Sequence, residues 1–179
     1  MVRPKFNAKG DPVYRAISTD DEGDGQKLLD WYLSHPKGRA HTKATFGEIH
    51  FSWNGPASKK VADYPSCTVP SGVWSAKAVE ALKPFFEANG DLFRIVFEGG
   101  VDKYVLFDCW SEFEAKTNDD FFFLKPKTLR YLKIGADVTL TDVFFASDEL
   151  MVSERFKAAA EAAGLTGIDF TEVEVILGS

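Results

Sequence analysis

Ser153-Glu-Arg-Phe-Lys-Ala-Ala-Ala-Glu-Ala-Ala-Gly-Leu-Thr-Gly167, running into Ile168-Asp-Phe-Thr-Glu-Val-Glu-Val175, is the stretch whose reading decides the fold. Ser153 suits a helix N-cap, because its hydroxyl can accept an orphan amide of the first turn, and Glu154 lies at the positive end of the helix dipole. Phe156, Ala159, Ala160 and Ala163 recur at the i, i+3, i+4, i+7 spacing of one buried stripe, with Lys157 and Glu161 turned outward. Gly164 can adopt the left-handed conformation that ends a helix, and Leu165 can fold back on Ala159 or Ala160. In the strand that follows, Ile168 and Phe170 share one parity, whereas Val173, Val175 and Leu177 share the other. A bulge near Thr171-Glu172, or burial on both faces, accounts for the switch at this level.

A second segment repeats the pattern. Ser75-Ala-Lys-Ala-Val-Glu-Ala-Leu-Lys-Pro-Phe-Phe-Glu-Ala-Asn-Gly90 reads as a helix capped by Ser75 with Val79, Leu82 and Phe86 inward. Pro84 removes an amide and crowds the carbonyl of Glu80, which predicts a kink or break before it. The runs 91–97 and 104–110, joined through Gly99-Gly100, predict a hairpin. Two helix-then-strand units on shared sheet structure, among many β-rich runs, predict an α+β fold with a largely antiparallel sheet and a few packed helices.

Outward from these units the signals weaken. Pro12 to Ile17 is a short extended candidate, and Gln26 to Leu33 reads as a helix stopped by Pro36. Between them, Asp20, Glu22, Asp24 and Gly25 match the first half of a calcium-binding EF-hand loop, but the twelfth position is Trp31 where a bidentate Glu is needed. A solvated acidic loop is the simpler reading. Phe46 to Trp53 alternates as a half-buried strand, Ile49, Phe51 and Trp53 on one face and Glu48, His50 and Ser52 on the other. His50 beside Glu48 has the elements of a general base, yet nothing nearby supplies a nucleophile, and His35 and His41 lack metal-ligand spacing. Phe121-Phe-Phe-Leu124 cannot turn all its rings into one core, so one ring meets another element or a partner.

A chain of 179 residues fits one domain, residues 1–179, with a candidate boundary near 70–75. Its hydrophobic content of 45% excludes a disordered chain, and no apolar run approaches the ~20 residues of a membrane span. No apolar stretch follows the basic residues near the N-terminus, so the expected location is the cytoplasm, where Cys67 and Cys109 stay free thiols. The net charge of −6 disfavours nucleic acids and anionic membranes as partners and suits a basic protein. The oligomeric state is open.

No nucleophile elbow, phosphate-binding loop, zinc helix or dinucleotide fingerprint occurs, so no catalytic residue, metal or cofactor is assigned. Asp108-Cys109 is the most enzyme-like pair, but neighbours on a strand face opposite ways, and a buried Cys109 is the simpler assignment if one of the two is internal. Val152 to Lys157, then Gly164 to Gly167 and a strand, together with Tyr104-Val-Leu-Phe-Asp-Cys109, Ser111-Glu-Phe113 and Asp142-Val-Phe-Phe145, resemble in order the signature of a bacterial immunity-protein family. It is immunity family eleven of the polymorphic toxin systems, formerly a domain of unknown function. Some relatives carry paired CxxC motifs, which this chain lacks. The resemblance implies a protein, not an enzyme, that binds and neutralises a cognate toxin. If the toxin is basic, the contacting residues are expected in two acidic loops: Asp20, Asp21, Glu22 and Asp24, and Glu112, Glu114, Asp119 and Asp120. A small enzyme with a site that no motif reveals, or a self-associating structural or regulatory protein, are the alternatives.

Overall fold

The computed structural model describes residues 1–6, 16–19, 50–54, 56–65, 67, 72–97, 104–114, 116–117, 131–146 and 149–178. The helix expected at 26–33, the acidic loop at 20–25, the strand's first half at 46–49, the hairpin turn at 98–103 and the Phe121 block lie outside the described residues.

Two helices are described, α1 (Ala76–Asn89) and α2 (Glu154–Ala162). The strands are β1 (Val2–Phe6), β2 (Ala16–Thr19), β3 (His50–Asn54), β4 (Val73–Ser75), β5 (Gly90–Arg94), β6 (Val96–Phe97) and β7 (Tyr104–Cys109), then β8 (Glu112–Phe113), β9 (Lys116–Thr117), β10 (Tyr131–Ile134), β11 (Val143–Ala146), β12 (Glu149–Val152), β13 (Ile168–Glu172) and β14 (Glu174–Leu177). They form a five-stranded sheet, β13-β1-β12-β11-β8, and three three-stranded sheets, β14-β10-β9, β2-β3-β6 and β4-β7-β5. Most pairings are antiparallel, the exceptions being β10 with β14, β11 with β8 and β3 with β6. The fold is α+β, as expected.

Strand alternation builds the layers. Val143, Phe145, Leu150 and Val152 of the five-stranded sheet face the helices, where they meet Leu82 and Phe86 of α1 and Phe156 of α2. Phe144, Ala146 and Met151, at the alternate positions, face Leu132 and Ile134 of β10. In the same way Phe107 and Cys109 of β7 turn toward the helices, while Tyr104 and Leu106 turn toward Phe51 of β3 and Phe97 of β6. The two helices therefore lie between two sheets, each backed by a further sheet.

Both predicted caps form. The Ser153 hydroxyl accepts from the Phe156 amide at 3.2 Å, and the Ser75 hydroxyl from the Ala78 amide at 3.1 Å. At the far end of α2, Gly164 has φ +57°, its amide donates to the Glu161 carbonyl, and the Leu165 amide donates to Ala160. That is a Schellman closure, with Leu165 packed on the core as the spacing implied. Ser153→Ala is expected to cost about 0.5–2 kcal/mol in urea unfolding followed by circular dichroism, because the Phe156 amide loses its acceptor.

Four expectations change. Of the kink or break expected at Pro84, the break does not occur: α1 continues through Pro84 to Asn89. Pro84 is exposed, so water can reach the carbonyl that lost its donor, and Phe85 and Phe86 beyond it are held by packing on Phe156. The predicted strand 91–97 divides at Ile95: β5 pairs with β7, whereas β6 pairs with β3 in another sheet. The parity switch near Thr171 is neither a bulge nor a doubly buried strand. The chain leaves the five-stranded sheet at Glu172, buries Val173 and enters the β10 sheet as β14. The two helix-then-strand units consequently enter different sheets, β5 in one and β13 in the other, and share the helix layer instead.

Candidate functional site

Two polar centres stand out against the apolar layers. The first is Asp63, in the irregular segment between β3 and β4. Its Oδ1 accepts from the Ser75 hydroxyl at 2.6 Å, and its Oδ2 accepts from both the amide and the hydroxyl of Thr166 at 2.9 Å. The Asp63 amide donates back to the Thr166 carbonyl at 3.0 Å, and its own carbonyl accepts from the Ser75 amide at 2.9 Å. Lys77 stands 3.7 Å from Oδ2 and donates to the Gly164 carbonyl at 2.8 Å. Asp63 thus ties the N-cap of α1 to the loop that leaves α2. Burial alone would raise its carboxyl, but the hydrogen bonds from Ser75 and Thr166, with Lys77 beside them, hold it below the usual carboxylate range. A carboxylate so fully engaged is an architectural clasp.

The second centre lies on the hairpin. Asp91 of β5 and Asp108 of β7 are directly opposed across the antiparallel ladder, so their side chains share the face that carries Phe93 and Leu106. Asp108 is only 3% exposed. The Trp110 indole donates to Asp91 Oδ2 at 2.9 Å, and the Trp110 amide donates to the Asn89 carbonyl at 2.9 Å, which fixes this end of the hairpin to the end of α1. Burial, and then the Asp91 carboxylate, push Asp108 up to about 7. Gly90 at the start of β5 permits the close approach. A Cβ there would clash with the Asp108 carbonyl oxygen and the Phe107 ring.

Cys109 is buried, as the sequence implied, and so is its neighbour Asp108. β7 is the central strand of its sheet and is covered on both faces, so alternate residues both become internal. The Cys109 thiol lies 3.5 Å from the Val143 carbonyl, and burial pushes it up to about 12. It holds its proton at neutral pH and is no nucleophile.

Of the acidic residues expected at a partner surface, Asp20, Asp21, Glu22, Asp24, Asp119 and Asp120 lie outside the described residues. Glu112 and Glu114 are described. Glu112 is half-buried on β8, the edge strand of the five-stranded sheet, rather than in a loop, because β8 runs parallel to β11 with Glu112 opposite Phe145. Glu114 is exposed just past that edge. A shallow groove of about 120 Å³ lies between α2 and β13, lined by Ala160, Glu161, Leu165, Ile168, Asp169 and Phe170. It is smaller than the roughly 300–1,000 Å³ of small-molecule pockets. Among the described residues no cluster of His, Cys, Asp or Glu has the arrangement of a metal site, and no helix is long and apolar enough to cross a membrane.

Asp63 and the pairing of Asp91 with Asp108 escaped the sequence reading for different reasons. Asp63 sits in an aperiodic run, Ala62-Asp-Tyr-Pro-Ser66, that carries no local signal of a partner 103 residues away. Asp108 did carry one, a charged residue inside an apolar strand, but its opposition to Asp91 depends on the hairpin register. Compared with known protein families and with curated proteins, the chain matches none.

Proposed function

We propose that this chain is an immunity protein that neutralises a cognate toxin by forming a stoichiometric complex with it in the cytoplasm. The observation that carries the reading is the convergence of the segments that bear the resemblance. Tyr104–Cys109 is β7, Asp142–Phe145 is the entry to β11 and most of that strand, and Ser153–Gly167 is α2 with its cap and closure. Phe107, Cys109, Val143, Phe145 and Phe156, far apart in sequence, pack in one core. Between α2 and β11, the Ser153 amide donates to the Asp142 carbonyl at 2.8 Å. The segments that carry the resemblance are buried scaffold, so in this reading recognition falls to the surface they support. The net charge of −6, with Glu112 and Glu114 at a sheet edge, favours a basic partner through electrostatic steering.

A small enzyme is the competing reading, and the Asp91–Asp108 pair is the feature that favours it, since two opposed carboxyls are a common setting for acid–base chemistry. Co-expression with a toxin encoded beside the gene, followed by titration of purified protein against toxin activity, separates the two. Protection is expected to saturate near one equivalent and to weaken in salt. Full protection at a small fraction of an equivalent would instead assign catalysis. Charge reversal at the exposed Glu114 is expected to weaken binding without changing the melting temperature.

A further inference from the structure

Two carboxylates that face each other across a ladder cannot both ionise cheaply when one of them is shut away from water. Asp91 and Asp108 meet that description. Asp91 is kept at the site by the Trp110 indole, and Asp108 stands on a central strand behind an apolar wall of Phe93 and Leu106. β3 and β6, packed on this face, bring Phe51 and Phe97, and β4, beside β7 in the same sheet, adds Val73. Tyr104 shares the face further along β7, where its hydroxyl donates to the Ala62 carbonyl. His50 and Arg94 fall at alternate, exposed positions of β3 and β5. On β7 and just beyond it, Cys109 is a neutral thiol and Glu112 is the next carboxylate.

We propose that the opposed Asp91–Asp108 pair stores a proton at the end of the β5–β7 hairpin: with Asp108 buried and Asp91 held opposite it by the Trp110 indole, the folded chain keeps one proton between the two carboxyls. The sign follows from linkage. An unfolded aspartate titrates near about 4, so across the interval up to about 7 the folded chain holds a proton that the unfolded chain has lost. The neutral carboxyl stabilises the fold fully below about pH 4. That stabilisation is lost as pH rises through the folded midpoint, and the contribution is flat above it.

Carbon-detected NMR of the side-chain carboxyls of the intact wild-type chain, titrated from pH 4 to 8.5, measures the Asp108 midpoint directly. Urea unfolding over the same range, on wild type, Asp108→Asn and Asp91→Asn, supplies the linkage. The expected results are an Asp108 midpoint well above the ordinary carboxylate range, a wild-type stability that declines relative to Asp108→Asn as pH rises to neutrality, and a midpoint shifted down in Asp91→Asn. An Asp108 carbon that titrates near 4 in the folded wild type overturns the proposal, whether or not the variants fold. A midpoint unchanged by Asp91→Asn overturns the pairing.

Discussion

Trp74→Ala is expected to remove about 3–5 kcal/mol of unfolding free energy and to lower the melting temperature by on the order of 10 °C. Trp74 lies on β4 and is fully buried. Its ring centroid is 4.2 Å from that of Tyr64, 5.2 Å from Phe86 of α1 and 5.9 Å from Phe156 of α2. One side chain therefore joins the segment before β4 to both helices, and its loss leaves a cavity that three separate elements would have to close. Because those elements are pinned by caps and ladders, the site collapses only partly and the cost stays near the top of the range for large-to-small substitutions. Thermal and urea unfolding of the variant measure it. Trp74→Phe, which keeps an aromatic ring against Tyr64 and Phe86, is expected to recover more than half of the loss.

Asp63→Ala comes next, at about 2–4 kcal/mol at neutral pH, because it strips acceptors from the Ser75 hydroxyl and from the amide and hydroxyl of Thr166 at once. A cycle with Thr166→Ala isolates the clasp, and a coupling of about 1–2 kcal/mol is expected between two residues that touch. The pH dependence runs opposite to that of Asp108. The folded carboxyl of Asp63 lies below its unfolded value of about 4, so its contribution is complete above that pH and is lost as pH falls toward the lowered value. The gap between wild type and Asp63→Ala should therefore narrow in strong acid, where the neutral carboxyl keeps only its weaker hydrogen bonds. Equal spacing of their unfolding curves from pH 7 down to pH 2 would show that the carboxylate charge contributes nothing to the clasp.

These two side chains mark where sequence reading stopped. Ser153, Phe156 and Gly164 were legible because a cap, a stripe and a helix stop are each settled by near neighbours in the chain, and the structure shows each in its expected role. The β5–β7 hairpin was legible for a similar reason, two β-rich runs close in sequence. The same reading missed that Ile95 divides the first run, since nothing local tells Val96 to leave β7 for β3. It also took the parity switch after Phe170 for a local irregularity, when Val173 marks a passage from one sheet to another.

By itself, then, the sequence determined the α+β class, both helices with their caps, the hairpin and the burial of Cys109, all of which follow from periodicity and capping over short separations. Only the tertiary structure decided which strands share a sheet, that Asp63 would bind Thr166, and that Asp108 would be buried opposite Asp91. The physical reason is range. Hydrogen-bond acceptors and like charges act over a few ångströms, and which residues come within that distance is fixed by the stacking of layers, not by their neighbours in the chain.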